Sequence, residues 1–280
     1  MAKRKFRFPW RIVLYAAYLV GGITGIVLLM GTIQVRSSEQ ACNALQIDIL
    51  GAEAFIAEKD IERLITQEYG QLQGRTLESI PIHEIEQRLS ELPYVSKARV
   101  SSDMNGLLHV QLWQRKAALR IIDQNGEGYY VDETGIKLPL SPVYAPRVPL
   151  AHGGIAEGIE QPLDSVETEL VRGLFHLAQF ISKDSIWSKQ IAQIYVNPEG
   201  DIELIPSAGK HTIVLGDAQD LEGKFEKLMI FYRGILPKVG PRAYDKVNLK
   251  YKDQLVCTID STGIEKDSLV QLGSNSLNTQ

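Results

Sequence analysis

His83-Glu84 begins like the His-Glu-x-x-His run that sets two zinc ligands on one helix face. The position four residues on is Gln87, so the second ligand is missing. His109, His152, His176 and His211 stand singly, whereas a metal site needs several converging ligands; no metal and no cofactor is expected. Neither a Gly-x-Ser-x-Gly elbow nor a phosphate-binding Gly-x-x-x-x-Gly-Lys loop occurs. Gly153-Gly154 and Gly158 lack a strand before and a helix after, and read as turn residues. Glu84 and Glu86 fall on different helix faces and read as solvated. These residues point away from catalysis and from a small-molecule substrate. An envelope enzyme whose site assembles from distant residues remains the alternative that motifs do not address.

The elements that would position any site show clear periodicity. Leu45, Ile47 and Ile49 alternate with Gln46 and Asp48, predicting a half-buried strand. Ile61, Leu64, Ile65 and Tyr69 predict a helix ended by Gly70 in a left-handed cap. A second helix is predicted from Pro81, with Ile82, Ile85, Leu89 and Leu92 as its stripe and Pro93 as its stop. Ala98 and Val100, the pair Asn105-Gly106, then Leu108, Val110 and Leu112 predict a hairpin with a two-residue turn. The order is β-α-α-β-β.

The chain start decides the compartment. Ile12 to Ile33 is uncharged, and Lys3, Arg4, Lys5, Arg7 and Arg11 precede it without an acid. At about 1.5 Å per residue a helix over this run spans roughly 33 Å, enough for a bilayer core of about 30 Å. The basic flank predicts a cytoplasmic N-terminus, and the run exceeds a signal-peptide core, so an uncleaved single-pass anchor is expected. Within it Ala17, Gly21 and Gly25 form a small-residue ridge against which another helix could pack, although glycine is common in membrane helices generally. The chain's net charge is −4, and since its basic start carries +5 the remainder carries −9, which argues against nucleic-acid binding. Cys42 and Cys257 are read as two free thiols.

The element order and the passage Leu92-Pro93-Tyr94-Val95 to Arg99-Val100 resemble the polypeptide-transport-associated (POTRA) domain. A POTRA domain just outside one N-terminal span, followed by one more domain, is similar to the FtsQ/DivIB family of bacterial cell-division proteins. The second domain is expected from Ala118. Leu119–Ile122, Tyr129–Asp132, Ile191–Val196, Ile202–Ile205, Thr212–Leu215, Lys246–Tyr251 and Leu255–Ile259 are predicted strands. Val166 to Ile181 and Leu221 to Tyr232 are predicted helices. Pro139, Pro142, Pro146 and Pro149 predict extended edge or loop.

The expected fold is α+β: a cytoplasmic stub over 1–11, a transmembrane helix over 12–33, a POTRA domain over 44–117, an FtsQ-type β domain over 118–262 and a disordered tail over 263–280. The resemblance implies a non-enzymatic divisome scaffold at the septum. It would lie in the cytoplasmic (inner) membrane with its domains outside, binding FtsB and FtsL and controlling septal peptidoglycan synthesis. It also implies that Asn248, Leu249, Lys250 and Tyr251, in the predicted final strand, accept a strand of FtsB by edge addition. From pattern alone that strand reads rather as an ordinary last strand whose lysines deter pairing, and it is the resemblance that favours the edge. POTRA domains also precede outer-membrane barrels, so an envelope transport or assembly component is a second alternative. About 160 residues cannot supply a large barrel.

Overall fold

The computed structural model describes residues 40–259 apart from 162 and 253, together with residue 15 and residues 18–26. The chain divides into two units, residues 1–50 with 56–113, and residues 51–55 with 114–280.

The first unit runs β1 (Ala44–Leu50), α1 (Glu58–Tyr69), α2 (Ile82–Ser90), β2 (Val95–Ser102) and β3 (Leu107–Gln114). Its sheet has the order β1-β3-β2, with β1 parallel to β3 from Ala44↔Leu107 to Leu50↔Trp113. The helices bury the residues their stripes select: Ile61 and Ile65 of α1, and Ile85 and Leu89 of α2, against Val95, Val100, Leu108, Val110 and Leu112. Three details differ from expectation. Pro81 precedes α2, which ends at Ser90, so Leu92 and Pro93 lie beyond it. Gly70 closes α1 with φ 76° but ψ −176°, a positive-φ conformation open essentially to glycine alone rather than the left-handed helical one. The hairpin connection comprises Asp103 to Gly106, because Asp103 Oδ1 accepts the amides of Asn105 and Leu107, both at 2.9 Å.

That turn recurs in the second unit. Asp123 Oδ1 accepts the amides of Asn125 and Glu127, and Asp132 Oδ1 those of Thr134 and Ile136. In each case the residue three positions after the aspartate is a glycine with φ between 82° and 86°, a region that a side chain would strain.

The second unit forms one nine-stranded sheet in the order β12-β11-β10-β9-β8-β7-β4-β5-β6. The strands are β4 (Ala117–Ile122), β5 (Gly128–Asp132), β6 (Lys137–Pro139), β7 (Leu150–Gly153), β8 (Ile191–Val196), β9 (Ile202–Pro206), β10 (Thr212–Gly216), β11 (Tyr244–Asn248) and β12 (Val256–Ile259). The helices are α3 (Glu169–Lys183), α4 (Trp187–Gln190), α5 (Leu221–Ile230) and α6 (Leu236–Val239), with a π-helical segment, Phe231–Ile235, joining the last two. Leu174, Leu177 and Ile181 of α3 and Phe225 and Leu228 of α5 share a buried core with Leu119, Ile121, Ile194, Leu204, Ile213 and Val247 from the strands. At about 25 cal/mol per Å² of apolar surface, such burial dominates the stability.

The proline-rich stretch runs from the end of edge strand β6 through a loop to Pro149. Directly after it comes β7, a strand the sequence pattern did not single out, which is central and pairs in parallel with both β4 and β8. Pro149 stands just before the strand, so no ladder amide is lost. Gly153 ends β7 so close to β8 that a Cβ there would lie 2.2 Å from the Val196 carbonyl oxygen. Val166 also precedes α3, whose cap is Thr168 accepting the Val171 amide.

Most of the expected membrane run lies outside the described residues, as does the expected tail. Residues 18–26 are helical, and Tyr18, Leu19, Val20, Ile23 and Ile26 are all exposed. Among the described residues no helix is long and apolar enough to cross a membrane.

Candidate interaction site

The histidines are dispersed among different surroundings. His109 Nε2 is 3.8 Å from Asp103 Oδ2, and His152 Nε2 is 3.1 Å from Gln193 Oε1. His211 is buried with Nε2 2.8 Å from the Tyr232 hydroxyl, and burial pushes its pKa down. Among the described residues no three His, Cys, Asp or Glu side chains gather to hold a metal. A cleft of about 220 Å³ opens between α3 and the β9–β10 end, with Leu170, Ile202 and Ala218 on its walls and Asp217 at its rim. The Lys224 ammonium beside Asp217 holds that carboxyl below the usual range. Cys42 is buried and Cys257 half-buried; both are free, and burial raises both thiols.

The sheet margins differ from one another. An end strand offers unpaired amides and carbonyls, and proteins ordinarily blunt it with charge, proline or short length. In the first unit β1 carries Asp48, while β2 carries Lys97 and Arg99 and has its Val100 amide taken by Glu86 Oε2 at 2.8 Å. In the second unit β6 is three residues long, ends in Pro139 and buries Lys137. At the far end β12 reads Val-Cys-Thr-Ile, with neither charge nor proline, and Val256 and Ile259 are 44% and 56% exposed.

The expectation for Asn248, Leu249, Lys250 and Tyr251 therefore meets a different geometry. β11 ends at Asn248 and is paired on both sides, parallel to β10 and antiparallel to β12, so the free edge belongs to β12. Leu249 is fully buried and its amide donates to the Val214 carbonyl at 2.9 Å. Lys250 leaves the ladder, its amide on Asn248 Oδ1 and its ammonium 2.6 Å from Asp201 Oδ2. Tyr251 follows in a bend, 53% exposed, on the way to β12. Amides alternate along a strand. Because Leu249 points to β10, Asn248 and Lys246 face β12, where their partners are Val256 and Thr258; the amide between those two, Cys257, is left facing outward. In the N-terminal segment Gly21 and Gly25 have open space where a Cβ would stand, while Ala17 lies outside the described residues.

A family profile described as FtsQ/DivIB, C-terminal related, matches residues 116–258, and a POTRA-like domain profile matches residues 40–113. The first covers more than half of the chain. The chain belongs to the FtsQ/DivIB-related family. It is also 23% identical over 189 residues to the cell division protein FtsQ of Salinibacter ruber (strain DSM 13855 / M31), spanning 65% of this chain and 71% of that protein. Proteins of the FtsQ/DivIB family are generally non-enzymatic. All of β12 except Ile259 falls within the matched region.

Sequence reasoning missed two side chains at this end of the sheet. Lys224 and Lys227 of α5 reach main-chain carbonyls beyond β10 and β11. On the sequence each is one more lysine beside an apolar stripe.

Proposed function

We propose that this protein is a non-enzymatic cell-division scaffold, anchored in the cytoplasmic membrane by residues 12–33 with its two folded units outside. It binds FtsB and FtsL at the septum and so controls septal peptidoglycan synthesis. The observation that carries this reading is the unguarded β12 edge in a chain of this family. A partner strand laid there takes affinity from main-chain hydrogen bonds and specificity from Val256, Ile259 and Tyr251. Exposed apolar residues along 18–26 and the uncharged run around them support the anchor, and the basic flank supports the orientation.

The test is binding of the full chain, in detergent or nanodiscs, to a synthetic peptide of the extracytoplasmic C-terminal segment of the FtsB-type protein from the same organism. Cys257→Pro removes the outward amide and spares the inward ones; Cys257→Ser keeps it. Loss of binding in the proline variant alone, with unfolding unchanged, is the expected result. Equal affinity in both variants would sink the edge reading. Depletion in the source organism should give filaments with unfinished septa.

A further inference from the structure

Lys224 and Lys227 stand three positions apart on α5, neighbours on one helical face. Lys224 is buried, and its ammonium donates to the Asp217 carbonyl at 2.9 Å and Asp217 Oδ1 at 2.5 Å, just past β10. Lys227 donates to the carbonyls of Leu249 at 3.1 Å and Tyr251 at 2.6 Å, just past β11. β10 and β11 are parallel, so both strands end on the same side, where carbonyls without a ladder partner accumulate. α5 brackets the two ends with one lysine each. Lys227's acceptors straddle Lys250, which is tied in turn to Asn248 and to Asp201 at the entry to β9. The main chain of Tyr251 is thus held although the residue belongs to no strand.

The geometry points to Lys227 as a positioning residue for partner capture. It does not face the free edge. It holds the main chain of Leu249–Tyr251 in one conformation, so that Tyr251, half-exposed in the bend that follows β11, is already positioned when an extended segment arrives. Without it, binding must first order that segment, and ordering costs affinity. This inference rests on β12 being the edge that takes the partner strand.

The experiment compares Lys227→Met, which keeps the apolar stem and removes the donors, with Lys227→Arg, which keeps charge and donors, in the full chain. The probe is the FtsB-type peptide used above. Dissociation constants are read beside thermal unfolding and hydrogen exchange. Lys227→Met should bind roughly 10-fold more weakly, with faster exchange in the bend between β11 and β12 and unchanged exchange in β8 and β9; Lys227→Arg should restore affinity to within about 2-fold. Unchanged affinity in Lys227→Met, while Cys257→Pro abolishes binding, overturns the role of Lys227 and leaves the edge reading standing. Weaker binding that tracks a general loss of folding and is not rescued by arginine also overturns it. Unchanged binding in Cys257→Pro removes the edge reading and this inference with it.

Discussion

Removing the ammonium of Lys137 should destabilise the second unit by an amount its surroundings set. Lys137 Nζ lies 2.9 Å from Glu157 Oε1 and 3.0 Å from the Gly158 carbonyl, and the paired side chains are only 4% and 7% exposed. Glu157 also accepts the amides of Glu167 and Thr168 at 2.9 and 2.8 Å and the Thr168 hydroxyl, so it ties the start of α3 to β6. Breaking a buried ion pair from one side costs about 3–5 kcal/mol. Lys137→Met leaves Glu157 with its other donors, which places it near the lower bound, about 3 kcal/mol. Glu157→Leu, which leaves no acceptor in place of the carboxylate, strands the ammonium against the Gly158 carbonyl, which places it near the upper bound, about 5 kcal/mol. At about 2–4 °C per kcal/mol for a unit of this size, Lys137→Met should lower Tm by roughly 6–12 °C. The double variant should lose less than the sum, since neither charge then remains. The acid limb supplies a second reading. Burial opposes ionisation of Glu157, but the hydrogen bonds from Thr168, the Glu167 amide and Lys137 outweigh it and hold its pKa below the usual range. A depressed carboxyl contributes stability that is complete above the unfolded value and lost as pH falls through the folded one. Lys137→Met removes one of those bonds and brings the folded pKa nearer the unfolded one, so its acid loss should be smaller and level off at higher pH. Thermal unfolding of the full chain from about pH 3 to 8 tests both. A Tm shift under about 2 °C, or superimposable acid limbs, would refute the argument.

Gly153→Ala should cost at least about 2 kcal/mol and reduce the folded yield, because the added Cβ meets the Val196 carbonyl and φ is 111°. Asp132→Ala should cost about 3 kcal/mol in chemical denaturation, since Asp132 holds its turn and also pairs with Arg115 at 2.8 Å. Asp103→Ala, in the exposed counterpart turn, should cost less. His211 has its pKa lowered by burial, so the unfolded chain takes up a proton more readily and stability should fall as pH drops below about 6.5. His211→Phe should flatten that limb in a thermal-unfolding series, and an unchanged slope would show that another group carries it.

Local pattern carried the first unit well, because its stripes and alternations are each satisfied by neighbours close in sequence. Ile61 with Ile65, and Leu108 with Val110 and Leu112, name their own buried faces. β7 was hidden because Leu150 to Gly153 is too short to show a period, and its partners β4 and β8 are distant in sequence. The free edge was misplaced for a similar reason. Lys246–Tyr251 and Leu255–Ile259 look equally like strands, and only the antiparallel return after Tyr251 decides which is outermost. Lys227 was silent because its acceptors lie 22 and 24 residues away. The π-helical turn left no periodic signature, since Phe231 and Tyr232 simply extend an apolar pattern.

Residues 51–55 belong to the second unit although they precede most of the first in sequence. Phe55 packs edge-on to Tyr144 at 5.1 Å and to Tyr130 at 6.1 Å, and Gln114 joins its ends by accepting the Phe55 amide and donating to the Glu53 carbonyl. The boundary between modules is therefore not a single cut. A fragment starting where the C-terminal profile starts, at Lys116, would carry both tyrosines without the ring that covers them and without Gln114. Such a piece begins life with an exposed aromatic patch of its own making. Gene-level shuffling that treated the two halves as beads on a string would inherit the same defect, so this chain's second unit travels intact only with a short length of chain borrowed from between β1 and α1.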